Sequence, residues 1–233
     1  MGISHEAGLE VHLDPWGVAG VFGGEALSKF VTWETGACQV LADGTRMGVA
    51  CLNQPALLPW LRDWIDAAVN IGGDVVFFDE PHWYPGDVWY IGRPMGDAAD
   101  RWSCRCEVCL ELFRQRYGHA MPLALDDELR KFRSEAVLRL TTGLIGYAKS
   151  KGATTALCLL PHGITFELVG MPDWDPFSRI PGLDLFGTDP LLAGGGHGAD
   201  GAVCAAERNC GAGAVREAWA AEPVLGAGLR LLY

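Results

Sequence analysis

The run Val75-Val76-Phe77-Phe78-Asp79-Glu80-Pro81-His82 constrains this chain more than any other segment. Four apolar residues stop at two carboxylates, a proline and a histidine. An unbroken apolar run reads as a strand buried on both faces, as in a parallel sheet. Pro81 has no N–H and cannot extend the ladder, so the strand ends there. Asp79 and Glu80 are thereby expected at the carboxyl end of a buried parallel strand, where α/β folds and barrels place their chemistry. A carboxyl at that position can serve as a general acid or a nucleophile. The competing assignment makes the two acids a structural ion pair or a cap for the next helix.

Strand and helix patterns alternate around this run. Leu9 to Leu13 alternates apolar and polar residues and breaks at Asp14-Pro15-Trp16-Gly17. Val18 to Phe22 is a short apolar stretch closed by Gly23-Gly24-Glu25. Asp43-Gly44 marks a turn, and Met47 to Leu52 reads as a strand. Asn53 with Pro55 suggests the start of a helix whose apolar face runs from Leu57 to Val69 and which Gly72-Gly73 end. Further helices are expected from Cys109 to Tyr117 and after Asp126-Asp127-Glu128, stopped by Gly152, and further strands over Thr154–Leu160 and Leu183–Asp189. Alternation of this kind means a parallel sheet with right-handed crossovers. About five of the eight strands of a closed (β/α)8 barrel are visible, so a partial TIM barrel over residues 1–190 is the expected architecture. Residues 191–233 are rich in Ala and Gly and lose the strand signals. They read as a tail that is poorly ordered or foreign to the fold before it.

Cysteine usage is the second strong signal. Eight cysteines occur, and Met1 to Glu6 lacks the basic and apolar regions of a secretion signal. A cytoplasmic chain with reduced thiols is therefore expected rather than a disulfide framework. Cys104, Cys106 and Cys109 form a C-x-C-x-x-C cluster, a spacing that suits a tetrahedral zinc site with four ligands. Cys51 is the leading candidate for the fourth, because it ends a short apolar strand expected on the same lip of the parallel sheet as the loop after Glu80. His82 or His119 could take its place, and buried or redox-active thiols are the alternative to a metal.

Composition narrows the partners. The net charge is −11, with no basic patch for nucleic acid and nothing to favour an anionic membrane surface. No apolar stretch reaches the roughly 18 residues needed to span a bilayer. Nine tryptophans and five tyrosines are compatible with stacking on neutral sugar rings, although most such rings serve as core.

The order Cys51, apolar helix, strand ending in Glu80, then C-x-C-x-x-C leading into Leu112-Phe113-Arg114 and Tyr117-Gly118 resembles the zinc-containing β-galactosidases of glycoside hydrolase family 42. Asp79-Glu80-Pro81 also looks like the Asn-Glu-Pro signature of related retaining (β/α)8 hydrolases, with Asp in place of Asn. The resemblance implies a carbohydrate substrate, hydrolysis of a β-linked sugar, and Glu80 as the acid/base. It also implies a structural zinc on Cys51, Cys104, Cys106 and Cys109. Asp14, Trp16, Glu25, Asp79, His82, Trp83 and Asp189 would then line the sugar site. A retaining reaction needs a second carboxyl about 5 Å from the first. Glu207, Glu217 and Glu222 lack a preceding buried strand and do not fit that role, so a chain with the acid and no nucleophile would be inactive alone. Two alternatives stand beside this one. One is a non-catalytic carbohydrate-binding or structural barrel fragment. The other is an open metal site built from Asp79, His82 and His162.

Overall fold

A computed structural model describes residues 2–15, 30–31, 34–84, 102–159, 169–188 and 230–232. Its frame is a parallel sheet of five strands: β1 (His12–Leu13), β4 (Val75–Asp79), β5 (Thr154–Leu159), β6 (Leu185–Thr188) and β7 (Arg230–Leu232), adjacent in that order. All four pairings are parallel, and Phe78 stands opposite Leu157, which stands opposite Phe186. The apolar run at 75–78 is thus a central strand, as its lack of polar alternation requires. Successive residues face opposite ways. Val76, Phe78, Leu157 and Leu159 pack into the large core on the helix side, whereas Val75, Ala156 and Leu185 form a small cluster on the other face with Phe77. Asp79 shares the parity of Val75 and Phe77 and so belongs to that second, interior face.

Helices cover the outer face. Besides a short N-terminal helix, α1 (Gly2–Glu6), there are α2 (Leu57–Asn70), α3 (Glu107–Tyr117), α4 (Asp127–Ser150) and the single turn α5 (Asp175–Ser178). α2 buries Leu57, Leu61, Ile65 and Ala68, spaced at three and four residues. Asp126 caps α4 by accepting the Leu129 N–H at 2.8 Å, and Gly118 closes α3 with φ +79°, its N–H donating to the Arg114 carbonyl. None of the helices among the described residues is long and apolar enough to cross a membrane.

Two expectations change. The strand read at Met47–Leu52 is β3 (Arg46–Ala50), and it does not join the parallel sheet. It pairs antiparallel with β2 (Cys38–Val40) in a separate two-stranded ribbon turned at Asp43-Gly44. Asp-Gly between two apolar runs is a hairpin signal whose first arm was too short to register. Asn53 does not start α2. Residues 52–56 form turns, and the helix begins at Leu57. In the tail, Arg230–Leu232 adds a strand beside β6, while residues 191–229 lie outside the described residues. Strand β1 is shorter than its pattern suggests and β6 begins at Leu185, while Leu160 and Asp189 lie outside the described residues.

The amino end of the sheet is tied together by carboxylates. Asp74 accepts the Val11 N–H at 2.8 Å and thereby joins β1 to β4. Asp184, just before β6, accepts the Thr155 N–H at 2.9 Å and a Lys149 ammonium at 2.8 Å, linking β6 to β5 and to the end of α4. Burial pushes the Asp184 carboxyl up, but the Lys149 and Thr155 hydrogen bonds outweigh it and hold it below the usual carboxylate range. Its contribution is therefore fully present above the unfolded value of about 3.9 and fades as pH falls through the lower native value. Asp184→Ala is expected to cost about 1–3 kcal/mol at pH 7, chiefly by leaving the Thr155 N–H without its acceptor. In urea unfolding, the gap between variant and parent should close as the pH is taken below about 3.9.

Candidate functional site

The cysteine cluster assembles from three separate pieces of chain. Cys51 follows the last residue of β3, Cys104 and Cys106 lie in the segment leading to α3, and Cys109 is in the first turn of α3. The four sulfurs all lie within 4.8 Å of one another and all four residues are buried. Cys51 Sγ is 3.4 Å from Cys109 Sγ and 3.5 Å from Cys106 Sγ. A tetrahedron with metal–sulfur bonds of about 2.3 Å has edges near 3.8 Å, so the residues fit a metal ion. Among the described residues this is the one group of three or more potential ligands that converges. His82 and His119 are not part of it. Their ring nitrogens face Trp83 and Glu80 in one case, and Ala120 and Glu128 in the other.

Cys51 arrives by a different route from the one its sequence suggested. It is not on the lip of the parallel sheet. The antiparallel ribbon carries it, and the segment ahead of α3 docks on the same ribbon. Arg105 N–H donates to the Val40 carbonyl at 2.8 Å, Ala42 N–H to the Trp102 carbonyl at 2.9 Å, and Leu41 bridges to Ser103. Backbone amides are aimed at sulfur as well: the Val40 and Cys106 N–H groups each lie 3.4 Å from Cys104 Sγ. The Asn53 side-chain amide donates to Cys109 Sγ at 3.3 Å, while its oxygen accepts from Arg139 at 2.5 Å. Asn53 thus supports the cluster instead of capping a helix, and Arg139 brings positive charge toward it through one amide. Donors of this kind orient thiolate ligands and spread their charge.

The thiols constrain one another. Burial, then hydrogen bonds from the other three cysteines, push Cys51 up. Hydrogen bonds from Cys104, Cys109 and Cys51 hold Cys106 down. One thiolate can be stabilised by its neighbours' S–H groups, but four ionised sulfurs in this volume require a cation. Metal uptake must therefore displace protons.

The second feature is the end of β4. Glu80 lies one residue beyond the strand, with its N–H donating to the Cys158 carbonyl of β5 at 3.0 Å. Its φ is +42°, and no other described non-glycine residue has a positive φ. A left-handed conformation costs an L-residue roughly 1–2 kcal/mol, and such strain concentrates at functional positions. The Glu80 side chain is 11% exposed, and its Oε2 lies 3.7 Å from Nε2 of a fully buried His82. His82 Nδ1 is 2.7 Å from the Trp83 carbonyl, so Nδ1 donates there and Nε2 is turned toward the carboxylate.

Trp83 is fully buried. Its indole N–H donates to the Arg133 carbonyl at 3.0 Å, and its backbone N–H donates to Val169 at 3.1 Å. Gly170, at φ +76°, lets the chain after β5 pass the indole, since a Cβ there would sit 2.6 Å from the ring. Those are the contacts of a packing residue that fixes the backbone beside His82. Asp14 follows β1 directly and is half-buried, at the same end of the sheet as Glu80. Trp16, Glu25, His162 and Asp189 lie outside the described residues.

One residue joins the two features, and sequence reasoning missed it. Gln39 of β2 is fully buried. Its Nε2 donates to the Ala50 carbonyl at 2.9 Å, and its Oε1 accepts from Ser103 Oγ at 2.5 Å and from Tyr84 N–H at 3.0 Å. A lone glutamine within the apolar stretch Ala37-Cys38-Gln39-Val40 was the available signal.

No family model and no curated protein matches the chain by sequence. Solved structures do match. A β-galactosidase from the psychrophilic Marinomonas ef1 superimposes with a TM-score of 0.54 at 11% identity, over 81% of this chain and 32% of that one. A catalytic mutant of a GH42 β-galactosidase from G. stearothermophilus gives 0.53 at 12% identity, over 83% and 32%. The fold is a partial (β/α)8 barrel. It is the barrel fold of these glycoside hydrolases, and the chain spans 32% of the length of each. In that barrel Glu80 stands at the carboxyl ends of the strands, where the fold carries its chemistry.

The cluster is expected to take up one divalent metal ion per chain, with release of more than one proton at pH 7 and weaker binding as the pH falls. Metal analysis combined with pH-indicator titration checks both. Cys51→Ser should lower the affinity at least tenfold.

Proposed function

We propose that the chain is the acid/base-bearing part of a glycoside hydrolase-like protein that cleaves O-glycosidic bonds of a β-linked sugar. The observation that supports this most is the placement of Glu80. It is a nearly enclosed carboxylate held in a strained backbone conformation, just past the end of a central barrel strand. In this reading Glu80 protonates the leaving oxygen and then takes a proton from the attacking water. His82 fixes the carboxylate's orientation from one side. Asp14 and Asp79 face the sugar, joined by Trp16, Glu25 and Asp189 from segments outside the described residues. Trp83 shapes the floor of the site through its packing. The nucleophile belongs on a later strand and is not assigned. Because the structural neighbours are β-galactosidases, a β-galactoside is the first substrate to test.

The metal assigned to Cys51, Cys104, Cys106 and Cys109 is zinc. Four thiolates leave no open coordination position, so the ion supplies folding energy and no catalytic water. Of the open metal site considered from Asp79, His82 and His162, the third residue lies outside the described residues.

A second reading is a carbohydrate-binding or structural module without turnover. The two separate on one pair of measurements. If the chain hydrolyses a natural β-galactoside, Glu80→Gln should reduce the rate by roughly 10²–10⁴. The loss should be smaller for an activated aryl glycoside, whose leaving group needs little protonation. Calorimetric sugar binding without turnover selects the module. Turnover that survives Glu80→Gln on the natural substrate removes Glu80 from its role.

A further inference from the structure

We propose that Gln39 is a positioning residue that couples metal occupancy of the four-cysteine centre to the segment carrying Glu80. The inference rests on reading that centre as a metal site, and it concerns how the centre bears on the barrel lip. Ala50, whose carbonyl accepts from Gln39 Nε2, is bonded directly to Cys51. Ser103, whose hydroxyl donates to Gln39 Oε1, is bonded directly to Cys104. The third partner, the Tyr84 N–H, is four residues beyond Glu80. A single planar amide therefore touches one chain neighbour of each of two metal ligands and the chain leaving β4.

The amide's plane is set by its two metal-side partners. A primary amide has fixed donor and acceptor directions, so a displaced Ala50 carbonyl or Ser103 hydroxyl turns the oxygen away from Tyr84. The Ser103 hydroxyl also lies 3.1 Å from the Tyr84 carbonyl, which places both backbone groups of Tyr84 against this network. When the four sulfurs share an ion, Cys51 and Cys104 are fixed relative to one another, and so are their neighbours. When the ion leaves, the buried thiols need only pairwise S–H contacts and that mutual fixing is lost. Trp83 keeps independent anchors on Arg133 and Val169, so the change should be read at Tyr84. The consequence for the barrel is that the chain between Glu80 and Tyr84 is held at one end by β4 and at the other by the metal centre.

The test is amide hydrogen exchange by NMR on the full chain, zinc-loaded and zinc-stripped, comparing Tyr84 with Leu157 of β5. Stripping should speed exchange at Tyr84 about tenfold or more, as expected for a lost hydrogen bond, and leave Leu157 unchanged. In Gln39→Ala, Tyr84 should exchange fast with zinc still bound, and stripping should add nothing further. Ser103→Ala should shift Tyr84 in the same direction by less, and it decides the question by the same criteria if Gln39→Ala does not fold. A merely structural Gln39 would speed Tyr84 equally in loaded and stripped chains, and that additivity overturns the proposal. Equal acceleration at Leu157 on stripping overturns it too, as does zinc-independent exchange at Tyr84 in the parent chain. A chain that takes up no zinc fails both the metal reading and the coupling. Bound zinc with no effect at Tyr84 fails the coupling alone.

Discussion

Four buried sulfurs within 4.8 Å of one another bring together the ribbon, the segment ahead of α3 and the start of that helix. The β2–β3 ribbon, the segment ahead of α3 and the first turn of α3 come from distant parts of the chain. A two-stranded ribbon alone is marginal in water. Here it gains a third edge from residues 102–105, an apolar core shared with α2 and α4, and a cluster that can accept an ion. The donors aimed at sulfur, two backbone amides and the Asn53 side chain, make the pocket a receptor for thiolates rather than a chance meeting of thiols.

From that cluster, polar contacts run to the barrel lip through a core that is otherwise apolar. Arg133 of α4 is almost fully buried; its guanidinium donates to the Ser103 carbonyl and its own carbonyl receives the Trp83 indole. Gln39 completes the circuit on the ribbon side. Buried polar groups of this sort are tolerated when each finds a partner, and satisfied networks favour one arrangement over its competitors. The four-cysteine cluster and Glu80 are thus joined through buried hydrogen bonds at one corner of the barrel, though the cluster lies on the outer layer and Glu80 at the strand ends.

Much of this was legible in the residues. The apolar run at 75–78 had to be a doubly covered strand, and Asp126 and Gly118 end their helices through local chemistry that needs no tertiary context. The C-x-C-x-x-C spacing picked out three of the four clustered sulfurs. Cys51 was identified for a reason that does not hold, because β3 is not in the sheet; its position depends on ribbon pairing, which short arms announce weakly. Asn53 was misread because a residue that caps helices well also donates well to sulfur, and only the fold decides between them. β7 has three residues, too few for periodicity to speak. Gln39 is a matter of long-range pairing throughout, with partners 11, 45 and 64 positions away.

The backbone at Glu80 carries a consequence for any attempt to harden this molecule. Glycine or asparagine would occupy that left-handed residue with less strain, so the fold is carrying a small standing penalty to keep an acid there. Selection for heat tolerance alone should discard the carboxylate early, and the survivors would be sturdier barrels with a blunted lip.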